Sequence, residues 1–228
     1  EGFSENGDFA LYWDDGSHGT ATAIHVVGQG VGSDWYVENN EYYMDMTGIA
    51  PGADMISVRA LSGASDYFSY LWLCGFDMTN ETSGEFNFTG NHMADLVTNS
   101  WGWITEPASQ MDYLSFTWEI LSSPDILETG YPGVLHVFSA GNEGSGYMTI
   151  GPPGSATACL TVGASTTSHW LEYLYGPTQP YEGMASFSSR GPGFTGYAKP
   201  DVLAPGLAGY SSVPWYSDYY GDSWGTTA

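Results

Sequence analysis

Hydrophobic and polar positions along this chain fall into short runs whose period switches between that of a helix and that of a buried strand. From Ser17 to Val27 small and apolar residues recur at helical spacing and predict a helix. Residues 28–47 are polar, glycine-rich and aromatic, and read as a loop. Asp54 to Leu61, after Pro51-Gly52, is a short apolar run that predicts a buried strand. Residues 66–78 read as helical, 79–91 as an exposed excursion, and Met93 to Asn99 as a second buried strand. A helix is expected over 109–122, ending near Ser123-Pro124. Val134 to Ala140 and Leu160 to Ala164 predict a third and a fourth strand. Residues 165–228 are rich in turns, with short strands expected at Met184–Ser188 and near Ser211. Buried strands alternating with helices predict an α/β fold with a parallel sheet. In such sheets reactive groups gather at the carboxyl ends of strands. Ser100-Trp101-Gly102 directly follows one expected strand, and Ala140-Gly141-Asn142 follows another. Each carries a glycine where backbone would approach a ligand.

Composition narrows the classes. The chain has 228 residues, 42% of them hydrophobic, enough for one sizeable core. No run is apolar for long enough to span a bilayer, and the first twenty residues lack the pattern of a signal peptide. The chain begins in mid-pattern, as a piece of a longer polypeptide would. The net charge of −23 arises from 26 Asp and Glu against only 3 Lys and Arg. Missing cations, more than surplus acids, make the imbalance. Such a surface offers little to phosphates and argues against nucleic-acid binding. It suits a saline or acidic extracellular setting, where carboxylates are screened or protonated. Cys74 and Cys159 each lie in an apolar run; two buried free thiols are expected, and a single disulfide would agree with export. Two sequons, Asn80-Glu81-Thr82 and Asn87-Phe88-Thr89, lie in one polar segment and lean toward a glycosylated surface. Scattered Asp and Asn leave a structural calcium site open, but no ligand run such as an EF-hand loop is present, and no other cofactor is expected.

The candidate chemistry lies in five blocks. Asp14-Asp15-Gly16-Ser17-His18-Gly19-Thr20-Ala21 sets an imidazole at the start of a helix. Ser139-Ala140-Gly141-Asn142-Glu143-Gly144 and Phe187-Ser188-Ser189-Arg190-Gly191-Pro192 follow. Lys199-Pro200-Asp201-Val202-Leu203-Ala204-Pro205-Gly206 and Gly225-Thr226-Thr227-Ala228 complete the order. These blocks, in this order and over nearly the whole chain, resemble the subtilisin-like serine peptidases. The resemblance implies a doubly wound, largely parallel α/β fold, incomplete at both ends. It implies one domain over 1–228 that lacks the N-terminal aspartate-bearing strand and the helix after the nucleophile.

By the same resemblance His18 is the general base, and Asn142 donates to the oxyanion through a neutral amide. Ser100-Trp101-Gly102 forms a substrate-binding strand, and Ala140-Gly141 the other wall of the primary side-chain pocket. Trp101 is equally suited to packing. His25, His92, His136 and His169 show no metal-ligand spacing and read as structural. Two departures stand out. Thr227 occupies the position of the family's serine; it keeps a hydroxyl, but its methyl stiffens χ1 and crowds the base or the incoming carbonyl. It is a slowed nucleophile, an inactivating substitution, or the mark of a truncated end. No Asp-Ser/Thr-Gly turn precedes His18, so the orienting aspartate is expected upstream in the same polypeptide. Without that strand and the later helix, these residues alone should not make a stable enzyme.

The expected function is therefore a serine endopeptidase acting on protein or peptide substrates through an acyl-enzyme, extracellular or at the cell surface. The rival is a catalytically silent module of the same fold with a structural or binding role in an extracellular assembly. Thr227, the missing aspartate and the sequons favour that rival.

Overall fold

The computed structural model describes residues 17–30, 35–36, 43–44, 47–58, 66–80, 82–103, 113–166, 183–206, 209–210 and 224–225. The chain divides into two compact units, Glu1–Val58 with Ala208–Thr227, and Arg59–Leu207 with Ala228. Each is described by itself.

In the first unit, α1 (His18–Val27) follows Ser17, whose backbone is left-handed (φ 58°). The carbonyls that an α-helix leaves open at its end need outside donors. Here Ile49 N–H donates to His25 O (3.0 Å) and Ala50 N–H to Val26 O (2.7 Å). Residues 28–47, expected as a loop, contain a short antiparallel ladder of β1 (Trp35–Tyr36) and β2 (Tyr43–Met44). Aromatic residues favour pleated backbone, a preference the surrounding Gly, Asp and Asn masked. Asp54–Val58 forms no strand, and Met55 and Ile56 are about half exposed. An apolar run becomes a strand only when its backbone finds a partner, and among the described residues this one has none. The rest of the expected strand, 59–61, lies outside the described residues.

The second unit opens with α2 (Asp66–Leu73) and an antiparallel hairpin of β3 (Phe76–Asn80) and β4 (Glu85–Phe88). The expected helix over 66–78 thus stops early: Gly75 has φ +86°, and its carbonyl accepts from Thr89 and Gly90 N–H, so the chain turns into the hairpin. The expected excursion over 79–91 holds the second half of that hairpin. β5 (Leu96–Asn99), α3 (Tyr113–Ser122), β6 (Leu135–Ser139), β7 (Leu160–Ser165) and β8 (Val202–Pro205) follow. The four strands form one parallel sheet in the order β5-β6-β7-β8. This is the α/β architecture with a parallel sheet that the sequence pattern predicts. β5 is shorter than the expected strand and, paired on one side only among the described residues, less buried. β8 was not expected as a strand: its side chains are exposed, Pro200 lies just before it and Pro205 is its last residue. The short strand expected at Met184–Ser188 is a single bridge, Met184 with Ser165. Near Ser211, the first unit has β9 (Gly209–Tyr210), paired with β10 (Trp224–Gly225).

The core of the second unit is aromatic. Trp118 of α3 lies edge-on to Tyr70 (4.8 Å), Trp101 (5.4 Å) and Phe138 (5.9 Å). Such T-shaped pairs add to what burial alone supplies. Cys74 and Cys159 are free and buried in this cluster. Burial pushes their thiols up to about 11 and about 12, so neither is a ready nucleophile. At the sheet's far side Asp201 clamps β7 to β8: its carboxylate accepts from Thr161 N–H (2.7 Å) and from Lys199 Nζ (2.6 Å). Lys199 also donates to Cys159 O (2.7 Å).

His136 of β6 faces the core with no exposed surface. Its Nδ1 lies 2.9 Å from Val134 O and 3.1 Å from Ser122 Oγ. A carbonyl only accepts, so the proton sits on Nδ1, and Nε2 is a bare lone pair, buried without a partner. Burial pulls this imidazole down from 6.5 to about 4, against a smaller raising effect of the Val134 carbonyl. The folded-state value is depressed, so the unfolded chain takes up a proton first as pH falls. Stability is then intact above about 6.5 and lost as pH falls toward about 4. The loss from this one group should approach about 3 kcal/mol. Urea melts between pH 7 and pH 4 should show a flatter acid limb in His136→Asn than in the parent. Equal acid limbs would mean that the buried imidazole does not govern acid sensitivity.

Candidate functional site

Two segments singled out in the sequence leave the same edge of the sheet. β5 and β6 are parallel neighbours with Asn99 opposite Phe138. Ser100–Gly102 and Ala140–Asn142 therefore emerge side by side at the carboxyl ends of adjacent strands. Ala140 N–H continues the ladder by donating to Val162 O (2.9 Å). On the other side, Trp103 N–H donates to Pro152 O (2.9 Å), which ties the end of the first segment to the turn after residue 150.

The Trp101 side chain, read from the sequence as either wall or packing residue, packs inward. Its indole N–H donates to Tyr70 Oη (2.9 Å) and to Asn99 Oδ1 (3.2 Å), and its ring lies against Trp118 and Phe138. Asn99, nearly fully buried, also accepts from the Tyr70 hydroxyl (2.9 Å). The indole is thereby fixed inward, and Gly102 beyond it is exposed.

The Asn142 loop is held by residues to which the sequence assigned no role. Gly141 takes φ +99°, a backbone conformation that disfavours a side chain. A Cβ there would also collide with the Glu143 carboxylate and with Ser189 Oγ. Ser189, with no exposed surface, donates its hydroxyl to Glu143 Oε2 (2.7 Å) and accepts from Glu143 N–H (3.0 Å). Its own N–H donates to Gly141 O (3.0 Å), and Gly144 N–H donates to Phe187 O (2.8 Å). Four hydrogen bonds from the Phe187–Ser189 stretch thus bracket Asn142, whose side chain is exposed. Ser188, equally buried, accepts from Ala164 N–H (3.0 Å) and fixes the same stretch to β7. The backbone on either side of the exposed Asn142 is thus fastened.

His18 is the first residue of α1 in the first unit, and its side chain is exposed. Thr227 lies outside the described residues. Asn142 and both wall segments belong to the second unit.

Across its whole length, residues 1–228, the chain matches the sequence profile of the subtilase family, peptidase S8. The chain belongs to the subtilase family. Among similar proteins, pyrolysin of Pyrococcus furiosus is 32% identical over 92% of this chain and 16% of its own length. Bacillopeptidase F of Bacillus subtilis is 29% identical over 95% of this chain and 13% of its own. Serine protease AprX of the same organism is 28% identical over 86% and 39%. The subtilase chain described here thus spans well under half the length of these relatives. Of solved structures, a psychrophilic protease named S41 aligns with 73% of this chain and 48% of its own, at 24% identity and a TM-score of 0.43. The prenylagaramide maturation protease PagA aligns with 54% and 35%, at 22% identity and a TM-score of 0.34.

Replacing Ser189 by Ala removes one donor and one acceptor from the loop and leaves the Glu143 amide unpaired. Such a loss typically costs about 1–3 kcal/mol. Urea denaturation of Ser189→Ala should show a drop of that order, with Glu143 and Gly144 amide exchange accelerated about tenfold or more. Unchanged exchange at those two amides would show that the loop holds itself.

Proposed function

We propose that this subtilase chain is the catalytic part of an endopeptidase that cleaves peptide bonds through an acyl-enzyme. The adjacency of Ser100–Gly102 and Ala140–Asn142 at one sheet edge carries the reading, because a peptide needs two walls and an oxyanion donor within reach of one carbonyl. In this mechanism the Thr227 hydroxyl attacks the scissile carbonyl while His18 takes its proton. Asn142 donates to the oxyanion, and removing such a donor typically costs about 10²–10³ in rate. His18 then protonates the departing amine, and water repeats the sequence to free the acid. Ser100 and Gly102 supply extended backbone to pair with the substrate, and Ala140 and Gly141 line the opposite wall. The reading extends to an extracellular or cell-surface glycoprotein. Asn80 and Asn87 of the sequons, with their partners Thr82 and Thr89, are exposed around the β3–β4 hairpin.

Thr227 favours a second reading, a silent subtilase module that binds without cleaving. Labelling by a fluorophosphonate probe separates the two. For the enzyme, the full-length protein should label slowly, His18→Ala should not label, and Thr227→Ser should label about tenfold faster or more, once the crowding methyl is gone. Absence of labelling in the parent and in Thr227→Ser, across a wide pH range, would establish the silent module.

A further inference from the structure

Cations are so scarce in this chain that the place of each is informative. Of the three, Arg59 lies outside the described residues and Lys199 is paired with Asp201 (2.6 Å). Arg190 has no ion pair among the described residues, in a protein with 26 carboxylate side chains. Its Nε is buried without a hydrogen-bond partner. One edge of the guanidinium is therefore dehydrated and uncompensated, and an unpaired buried polar group is costly.

Arg190 lines an open cleft of about 500 Å³ with Met184, Pro192, Ala198, Lys199 and Pro200. None of the described residues lining it is acidic. The volume falls within the range of small-ligand sites, roughly 300–1,000 Å³. The backbone beneath the cleft is fixed. Arg190 N–H donates to Thr149 Oγ1 (2.8 Å), and its carbonyl accepts from Thr149 N–H (2.8 Å). Gly191 N–H donates to Lys199 O (3.0 Å), with backbone so close that a Cβ on Gly191 would meet that oxygen at 2.6 Å. The backbone that carries Arg190 is thus rigid, with the Lys199 charge already neutralised beside it.

We infer that this cleft is a carboxylate-binding site, in which Arg190 pairs with the carboxylate of an organic acid or of an acidic peptide side chain. The guanidinium fork matches a carboxylate. The Met184, Pro192, Ala198 and Pro200 walls favour a ligand with carbon attached over a fully hydrated inorganic ion. The site is independent of the peptidase reading, since none of its residues belongs to the proposed catalytic set.

Isothermal titration of the full-length protein at fixed ionic strength tests it. The ligands are succinate, a glutamyl tetrapeptide with blocked ends, and neutral succinamide. Saturable binding is expected for at least one carboxylate and none for succinamide. Tighter binding of the peptide than of succinate would assign the site to acidic peptides; binding of succinate as tight or tighter would assign it to free acids. Arg190→Gln should weaken binding about tenfold or more, and Arg190→Lys, which keeps the charge and loses the fork, by less. Ala198→Glu leaves Arg190 in place and sets a competing carboxylate in the cleft; it should abolish binding. Binding undiminished in Arg190→Gln and Ala198→Glu, or no saturation by either carboxylate up to about 50 mM, a concentration at which even millimolar affinities saturate, would overturn the assignment.

Discussion

The parallel register of β5 on β6 is the constraint on which the rest of the second unit depends. Side chains on a strand alternate faces, so a slip of one residue would exchange the core face for the other along the whole strand. His136 and Phe138 are the buried positions of β6, and they meet the aromatic cluster around Trp118. That burial pins Asn99 opposite Phe138, and the pinning sets where Ser100 and Ala140 leave the sheet. The location of the candidate site is therefore decided by packing some residues below it. Burial of large apolar area, at about 25 cal/mol per Å², outweighs any single hydrogen bond in the loops above.

Above the sheet the energetics change character. The Asn142 loop has no apolar anchor of its own; Glu143 is exposed and Gly141 has no side chain. Hydroxyls take over the work. Ser188 and Ser189 are short, fully enclosed and able to donate and accept together, so two consecutive residues fasten one loop to β7 and another to the segment carrying Asn142. A longer polar side chain would demand more room and lose more rotamer freedom on burial. Apolar packing thus fixes position to within a residue, and hydrogen bonds fix orientation within that position.

Much of this was legible in the sequence. β6, β7 and α3 stand out because their apolar runs are bounded by clear turn residues. The blocks around Asn142 and Ser189 mark the family in their order alone. What escaped depended on partners distant in the chain. Asp54–Val58 has the composition of a strand, yet composition does not supply a neighbour. β8 hides because its side chains are exposed and its backbone is captured by β7. Ser189 meets Glu143 across 46 residues, a separation no local pattern encodes. The contacts of the Trp101 indole with Tyr70 and Asn99, 31 and 2 residues away, were likewise not legible from its neighbours. His18 and Thr227 were named from motif alone: His18 stands at the head of α1, as the motif implies, and Thr227 lies outside the described residues.

The clamp between β7 and β8 has a practical corollary. Lys199 is the one lysine in the sequence, and its side chain is 1% exposed. Activated-ester dyes, glutaraldehyde and reductive methylation all require a reachable primary amine. On the folded protein this sequence offers them no lysine side chain, so any uptake of such a reagent at Lys199 would report that the β7–β8 seam has opened.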